Sequence, residues 1–585
     1  MSTSDSPSLS ASTSISSTSN SSVTTSAQPT RRRFLASTAA AAAVTAVGIV
    51  AGQTANRNAA YAQSSAGPVG SSGPAPAPTD PSLADVPTVT EDHQTIVIGS
   101  GFGGGVSALR LAEAGVKVTV LERGRRWETG PNATTFPSPT NPDKRMLWHR
   151  SAPQLFGKNI AVDPYVGIIE AVTSSTMTAL CPTGVGGGSL VYQGMSLQPT
   201  KEAFNANFPA ELDWDLMDRV HYPRVADALG LETCPDDIIN HPNYKVARVF
   251  AKRCRDAGLK AEKIPMPIDW DFARRELNGE MKPSYSDGSG AMGVNNGGKH
   301  SVDVTYIARA EETGNATVRT HTEVTDIERQ DDGTWVVHAL HTDDSGSPQK
   351  RLKLNAGSVI VAAGSVNTTR LLLRAKHTGT VPGLPDTLGQ GWGTNGDRIY
   401  VWTDPTAGFG AVQGGPVVYG TKRWDDPNHA HTVIQASMPG MGMDAKSTMM
   451  VGYGVSDTRG SFKWNSRTKT AELHWPAGGD SELIEKHIRP TADKIITAGG
   501  APGMLTDTNS FVNSTWHALG GACMGSVCDL EGRVQGQDGL YVLDGALIPG
   551  TTAACNPSMT IAAVAERAMD SVAPEIAARR YAAAQ

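Results

Sequence analysis

Thr95–Gly124 reads TIVIGSGFGGGVSALRLAEAGVKVTVLERG. Thr95–Ile98 is a short β-branched run of the kind that forms a buried strand. Gly99-Ser100-Gly101-Phe102-Gly103-Gly104 follows at once, and Leu109, Leu111 and Ala112 continue in helical spacing. Gly115 ends that helix, and Val116–Leu121 reads as a second buried strand. The stretch is therefore a βαβ unit carrying G-x-G-x-x-G in the context the motif needs. Gly99 serves the tight turn, Gly101 lets backbone approach a pyrophosphate, and Gly104 lets helix and strand pack closely. The pyrophosphate would rest on free N–H groups at the positive end of the helix dipole. Glu122, at the tip of the second strand, is placed to accept hydrogen bonds from a ribose diol, and an acid there disfavours NADP. Ala108 and Gly115 extend the motif in the way common among FAD proteins, although the motif alone does not separate FAD from NAD.

The 585 residues suffice for two domains or more. Residues 1–30 are nearly all Ser, Thr and small polar groups, too poor in apolar side chains to fold. Thr30-Arg31-Arg32-Arg33-Phe34-Leu35 is a twin-arginine pattern, followed by the Ala-rich run 39–51 and the cleavage-like Ala60-Tyr61-Ala62. This predicts an export signal and a mature chain starting near Gln63. The run is too short and too weakly apolar for a comfortable membrane anchor. Residues 63–91, rich in Ser, Gly and Pro, read as a tether. A net charge of −6 offers no basic patch, which argues against nucleic acid as a partner. The six cysteines form no C-x-x-C pair, and no His-rich spacing suggests a metal. Cys523 and Cys528 are close enough in sequence for a bridge to remain open.

Beyond the first unit, 127–180 has few periodic runs and reads as a long excursion over a cofactor. It leads to Gly184-Val185-Gly186-Gly187-Gly188-Ser189-Leu190-Val191-Tyr192-Gln193-Gly194-Met195. So many glycines imply backbone pressed against something flat or anionic. Residues 200–300 look mostly helical. Strands are expected over Val318–Arg329, Trp335–His341 and Ser358–Ser365, the last ending in Gly and followed by a helix over Val366–Ala375. Alternating runs at Arg398–Thr403, Pro416–Tyr419, Thr432–Ala436, Ser447–Tyr453, Ser461–Trp464 and Thr470–Trp475 suit an antiparallel sheet. Glu482–Ala498 is a candidate covering helix. Near the end, His517 stands before Gly520-Gly521, Leu540–Leu543 leads into Asp544-Gly545, and Asn556-Pro557 opens a helix expected to reach about Ala568.

These features occur in the order found in the glucose–methanol–choline flavin oxidoreductases, which the chain resembles over about residues 92–575. Within that family it is most similar to the secreted bacterial cholesterol oxidases that hold FAD non-covalently. The resemblance implies an α/β fold with a Rossmann-like FAD-binding domain in 92–125, 300–390 and 532–575. A substrate-binding domain would occupy 126–299 and 391–531, built on a six-stranded antiparallel sheet roofing the active site. Residues 1–62 would be the export signal with its disordered start, and 63–91 the linker.

Position by position, Phe102, Gly103, Glu122, Gly188, Met195, Val324 and Gly545 match FAD-contacting residues, and Asp544 precedes the last of them. His517 and Asn556 match the pair that hydrogen-bonds the substrate alcohol, with His517 aiding removal of the hydroxyl proton. There are departures. The family's VNGGM loop reads Val191-Tyr192-Gln193-Gly194-Met195 here, which places Tyr192 and Gln193 near the flavin, and the aromatic residue two after the catalytic Asn is Ser558. Where the sterol oxidases carry a Glu in the roof, this chain has Val433-Ile434-Gln435-Ala436, so Gln435 and Met195 become the expected substrate contacts. The implied partners are a small apolar alcohol and O2, with at most transient contact with a membrane surface, for a secreted monomer. A dehydrogenase for another alcohol, or a flavin-bearing ligand-binding protein with little turnover, are the alternatives that the departures leave open.

Overall fold

The computed structural model describes residues 76–579 apart from 78, 152–153, 156–157, 160–162, 416, 441 and 511–512. The export-signal reading lies outside the described residues, as do residues 63–75 and 78 of the stretch read as a tether.

Two sheets organise the chain. The first is built on the strand Thr88–Ile98, which starts four residues inside the expected tether. Its first half alternates in exposure, while Thr95–Ile98 is buried on both faces, as expected of the middle of a parallel sheet. Strand order is Ala316–Arg319, Val118–Leu121, Thr88–Ile98, Pro348–Val361, Trp335–Thr342, Thr322–Arg329. Pro348–Val361 changes partners along its length: Lys350–Ala356 pairs antiparallel with Trp335–His341, and Val359–Val361 pairs parallel with Leu540–Val542. That last pairing brings the C-terminal segment, far away in sequence, to the carboxyl edge of the nucleotide sheet. The helix Phe102–Glu113 crosses this sheet, and the C-terminal helix Pro557–Ala578 packs against it.

The strand expected over Val318–Arg329 is two strands, broken at His321, whose φ of 52° turns the chain. The C-terminal helix runs well past Ala568 and through Pro574. A proline there forfeits one helical hydrogen bond. Burial of Val572, Ala573 and Ile576 on the core offsets that loss.

The second sheet is antiparallel and six-stranded, in the order Met504–Asp507, Arg398–Thr403, Ser447–Gly454, His431–Ala436, Tyr419–Arg423, Glu262–Lys263. Two of the expected runs are not in it. Ser461–Asn465 and Thr470–His474 form a separate hairpin, with Phe462 edge-on to Trp392 and Trp464 stacked on His377 of the helix Ser365–Thr378. A third run is displaced, since Tyr419–Arg423 begins where the expected strand ends.

The sheet divides the core of this half by side-chain parity. Ile399, Val401, Ile434, Ala436, Met449 and Val451 pack on the face shared with Met195. Tyr400, Val433 and Met450 pack on the other face, against the helices Lys245–Asp256 and Arg489–Thr497. The covering helix expected over Glu482–Ala498 is present in pieces, a π-turn at Ile484–Ile488 joining its halves. All six cysteines are free thiols, Cys523 and Cys528 included. Among the described residues no helix is long and apolar enough to cross a membrane.

Candidate active site

The strands of the first sheet end together at Ile98, Leu121, Val361 and Val542, so the segments that follow them meet at one edge. A cavity of about 270 Å³ opens there. Gly99, Gly101, Phe102, Gly103, Glu122, Gly188, Val324, Asp544 and Gly545 line it. Open α/β sheets bind ligands at this edge.

Glycine is required in this cradle for steric reasons. Gly99 has φ 99°, and a Cβ there would stand 2.3 Å from the Ala362 carbonyl oxygen. A Cβ on Gly103 would fall 1.7 Å from the Leu543 carbonyl, which lets the C-terminal segment close against the helix start. Gly104 instead packs against Gly99, so its role is the close approach of helix to turn. At Gly188 and Gly364 a Cβ would meet nothing within 4 Å, because these positions face the cavity itself.

Polar groups complete the cradle. Glu122 accepts hydrogen bonds from Ser100 Oγ at 2.7 Å and from the N–H groups of Gly124 and Gly184 at 2.8 and 3.1 Å. Asp544 accepts from Gly364 N–H, Thr368 Oγ1 and Ala546 N–H at 2.8, 2.5 and 2.7 Å. Burial pushes its carboxyl up to about 6 in spite of those bonds. A glycine cradle, a helix N-terminus and a carboxylate at the second strand tip together fit a dinucleotide.

The Gly184–Met195 loop is tied down from several sides. Buried Lys299 donates to the carbonyls of Leu190 and Tyr192 at 2.7 and 3.0 Å, and desolvation pulls its pKa down to about 7. Tyr192 meets Phe102 edge-on at 5.5 Å. The Tyr192 hydroxyl and Gln193 Oε1 are buried without a hydrogen-bond partner. Ser558 Oγ donates to the Met195 carbonyl at 3.3 Å, linking this loop to the start of the C-terminal helix.

His517 and Asn556 meet where the cradle joins the roof. Asn556 Nδ2 lies 2.9 Å from His517 Nε2. Asn556 is the N-cap of its helix, with Oδ1 accepting from Ser558 N–H at 3.1 Å. The imidazole is buried between Tyr453 and Trp516, at ring distances of 5.9 and 5.7 Å. Its neighbours Trp516 and Ala518 belong to the cavity wall. Behind it, Asp397 Oδ1 lies 2.6 Å from Nδ1, and Asp397 is fully buried. Neither Asp397 nor Asn395, which bonds the loop before Asn556, was singled out in the sequence. An Asn-Gly-Asp run ahead of a strand reads only as a turn, although its one acid was the signal available.

Gln435 is not where a substrate contact belongs. It pairs with Met450 on the outer face of the roof. Its amide is consumed by Val418 N–H and Ser437 Oγ, at 3.0 and 2.9 Å. Strand parity explains the correction, since Ile434 and Ala436 point inward and the residue between them must point out. Met195 does lie on the inner side, with the Tyr453 hydroxyl 3.9 Å from its sulfur.

The N-terminal and C-terminal family patterns described as GMC oxidoreductase match residues 65–376 and 484–565. A cholesterol oxidase of Mycobacterium tuberculosis is 28% identical over 554 residues, covering 82% of this chain and 90% of its own. One from Acinetobacter baumannii is 27% identical over 556 residues, covering 82% and 94%. Among solved structures, pyridoxine 4-oxidase from Mesorbium loti superposes with a TM-score of 0.57 at 16% identity, over 82% of this chain and 98% of that one. The chain belongs to the GMC oxidoreductase family, and is an FAD-dependent oxidoreductase acting on the CH–OH group of alcohols.

Proposed function

We propose that the protein is a secreted oxidase that converts a 3β-hydroxysterol, or a similarly apolar secondary alcohol, to the ketone while O2 becomes H2O2. The observation that carries this reading is the His517–Asn556 pair, 2.9 Å apart between the nucleotide cradle and an apolar sheet face. Gly99, Gly101, Phe102, Gly103, Glu122, Gly188, Val324, Asp544 and Gly545 would hold the FAD. When bound, FAD supplies the acceptor for the hydride that leaves the carbinol carbon. The remaining work falls to side chains of this chain. His517 takes the hydroxyl proton, and Asn556 donates to the same oxygen and so orients the C–H bond. Ile399, Ile434, Met449 and Val451 offer an apolar surface, which suits a sterol ring system. The cholesterol oxidases among the relatives support the substrate class. Turnover of cholesterol in air tests it: one peroxide should form per sterol consumed, and inertness towards every 3β-hydroxysterol would refute the substrate.

FAD is held without a covalent bond in this proposal. Cys181 stands on the cavity wall, but burial pushes its thiol up to about 12, so it stays protonated and a poor nucleophile. Acid precipitation should release the flavin to the supernatant; a yellow pellet would mean a covalent link. Export by the twin-arginine route is proposed from Thr30–Leu35 and the Ala-rich run after it. N-terminal sequencing of protein collected outside the cell should find a start near Gln63, and retention of the intact chain inside would contradict export.

A further inference from the structure

We propose that the turn Thr394–Asp397 is a positioning clamp shared by both reacting side chains. In it, Asp397 holds His517 in one tautomer and Asn395 holds the bend that presents Asn556. The inference deepens the reading of His517 as the base and rests on it.

Two independent neighbours dictate the same proton position on the ring. On one side, Asp397 accepts four hydrogen bonds. Its Oδ2 takes those of Trp516 N–H, His517 N–H and Thr515 Oγ1 at 3.1, 3.0 and 2.8 Å, and Oδ1 takes that of His517 Nδ1 at 2.6 Å. A carboxylate is acceptor only, so Nδ1 carries the hydrogen. On the other side, Asn556 Oδ1 is already engaged by Ser558 N–H, which turns Nδ2 towards His517. An amide N–H facing Nε2 requires a lone pair there. The ring is thereby held with its hydrogen on Nδ1 and its Nε2 lone pair towards Asn556 Nδ2, the side on which both would meet a substrate oxygen.

The other half of the turn acts on Asn556. Ala553 and Ala554 have φ of 54° and 65°, a left-handed conformation that L-residues disfavour. Both are fully buried, and the bend they make delivers Cys555 and then Asn556. Asn395 bridges that bend, donating from Nδ2 to the Cys555 carbonyl at 2.8 Å and accepting Thr552 N–H on Oδ1 at 3.1 Å. Asn395 and Gly396 are themselves left-handed, at φ 56° and 70°. This geometry lets side chains two residues apart reach two separate loops. One short turn thus sets the distance between the base and the amide opposite it.

The test uses FAD-loaded wild type, Asp397→Asn, Asp397→Glu, Asn395→Ala and His517→Ala. It reads the limiting rate of anaerobic flavin reduction, the substrate dissociation constant and the ¹⁵N-histidine NMR signals of the ring. Asp397→Asn should lower the limiting rate by about 10²-fold or more, as loss of an orienting carboxylate does elsewhere, with substrate affinity unchanged. The signals assigned to His517 should show a protonated Nδ1 and bare Nε2 in wild type, a mixed or inverted tautomer in Asp397→Asn, and recovery in Asp397→Glu. Asn395→Ala should slow reduction with the tautomer intact. A wild-type ring carrying its proton on Nε2 overturns the proposal without any variant needing to fold. So does an Asp397→Asn enzyme with wild-type rate and tautomer. If His517→Ala reduces its flavin normally, the reading of His517 as base fails instead, and the tautomer still decides the clamp.

Discussion

His517→Ala is expected to slow flavin reduction by about 10²–10⁴-fold, the usual range for lost general acid–base help. The structure gives two reasons to expect the chemical step to be what changes. His517 Nε2 is the ring atom that Asn556 faces, at 2.9 Å, so the substrate oxygen would meet both. The glycine cradle and Glu122 that would hold the flavin are left untouched by the substitution, so the visible spectrum of the bound flavin should survive. The fold should survive too. Asp397 keeps its bonds from Thr515 Oγ1 and from two backbone N–H groups when the imidazole is removed. Stopped-flow reduction under nitrogen checks the claim, and a rate close to wild type would remove His517 from the mechanism.

The second large effect is an absence of chemistry. A Δ5-3β-hydroxysteroid oxidised at C3 gives a β,γ-unsaturated ketone, and conjugating it needs a base over the ring to carry a proton from C4 to C6. A carboxylate in an apolar cavity suits that task, its pKa raised by desolvation. Ile399, Val401, Ile434, Ala436, Met449 and Val451 make the inward face of the roof apolar, and the acid on that face, Glu262 on the edge strand, is paired with Lys422 at 3.0 Å and so held below the ordinary carboxylate value. Gln435 lies at the position of interest in sequence, but it faces outward and has no useful basicity. Asp444 sits in the loop beyond, bonded to Lys446 N–H at 3.0 Å and to its ammonium at 3.2 Å, which holds its carboxyl below the ordinary value. The enzyme should therefore release the unconjugated ketone. Product chromatography after cholesterol turnover checks this, and rapid, enzyme-dependent formation of the Δ4-3-ketone would reveal a base elsewhere.

Legibility of the fold followed the range of the interaction. The first βαβ unit could be read outright because strand, turn, helix and strand lie within thirty residues, and each boundary has its own local signal in Gly99, Gly115 and Glu122. Asn556-Pro557 was legible for the same reason, being both a cap and a first helical residue. Asp397 was not, because its partner lies 120 residues away and nothing near it in the chain marks the contact.

The roof shows a different limit. His431–Ala436 is buried on both faces, so Val433 and Ile434 look alike in sequence and nothing says which faces the substrate. A one-residue error in such a strand turns every side chain over. Gln435 is expected inside only from its resemblance to the Glu-bearing roof strand, and its pairing with Met450 turns it outward. The hairpin Ser461–His474 shows that alternation reports a half-buried strand without reporting which sheet it joins.

One measurement bears most directly on the claim that His517, Asn556 and an apolar roof make an alcohol-oxidising site. The FAD-loaded wild-type enzyme is mixed anaerobically with cholesterol, then with simpler secondary and primary alcohols, and the visible flavin absorbance is followed. The account predicts rapid bleaching by the sterol, slower bleaching by small alcohols, and recovery of colour with peroxide formation when O2 is admitted. A flavin that dithionite reduces but no alcohol bleaches would contradict it.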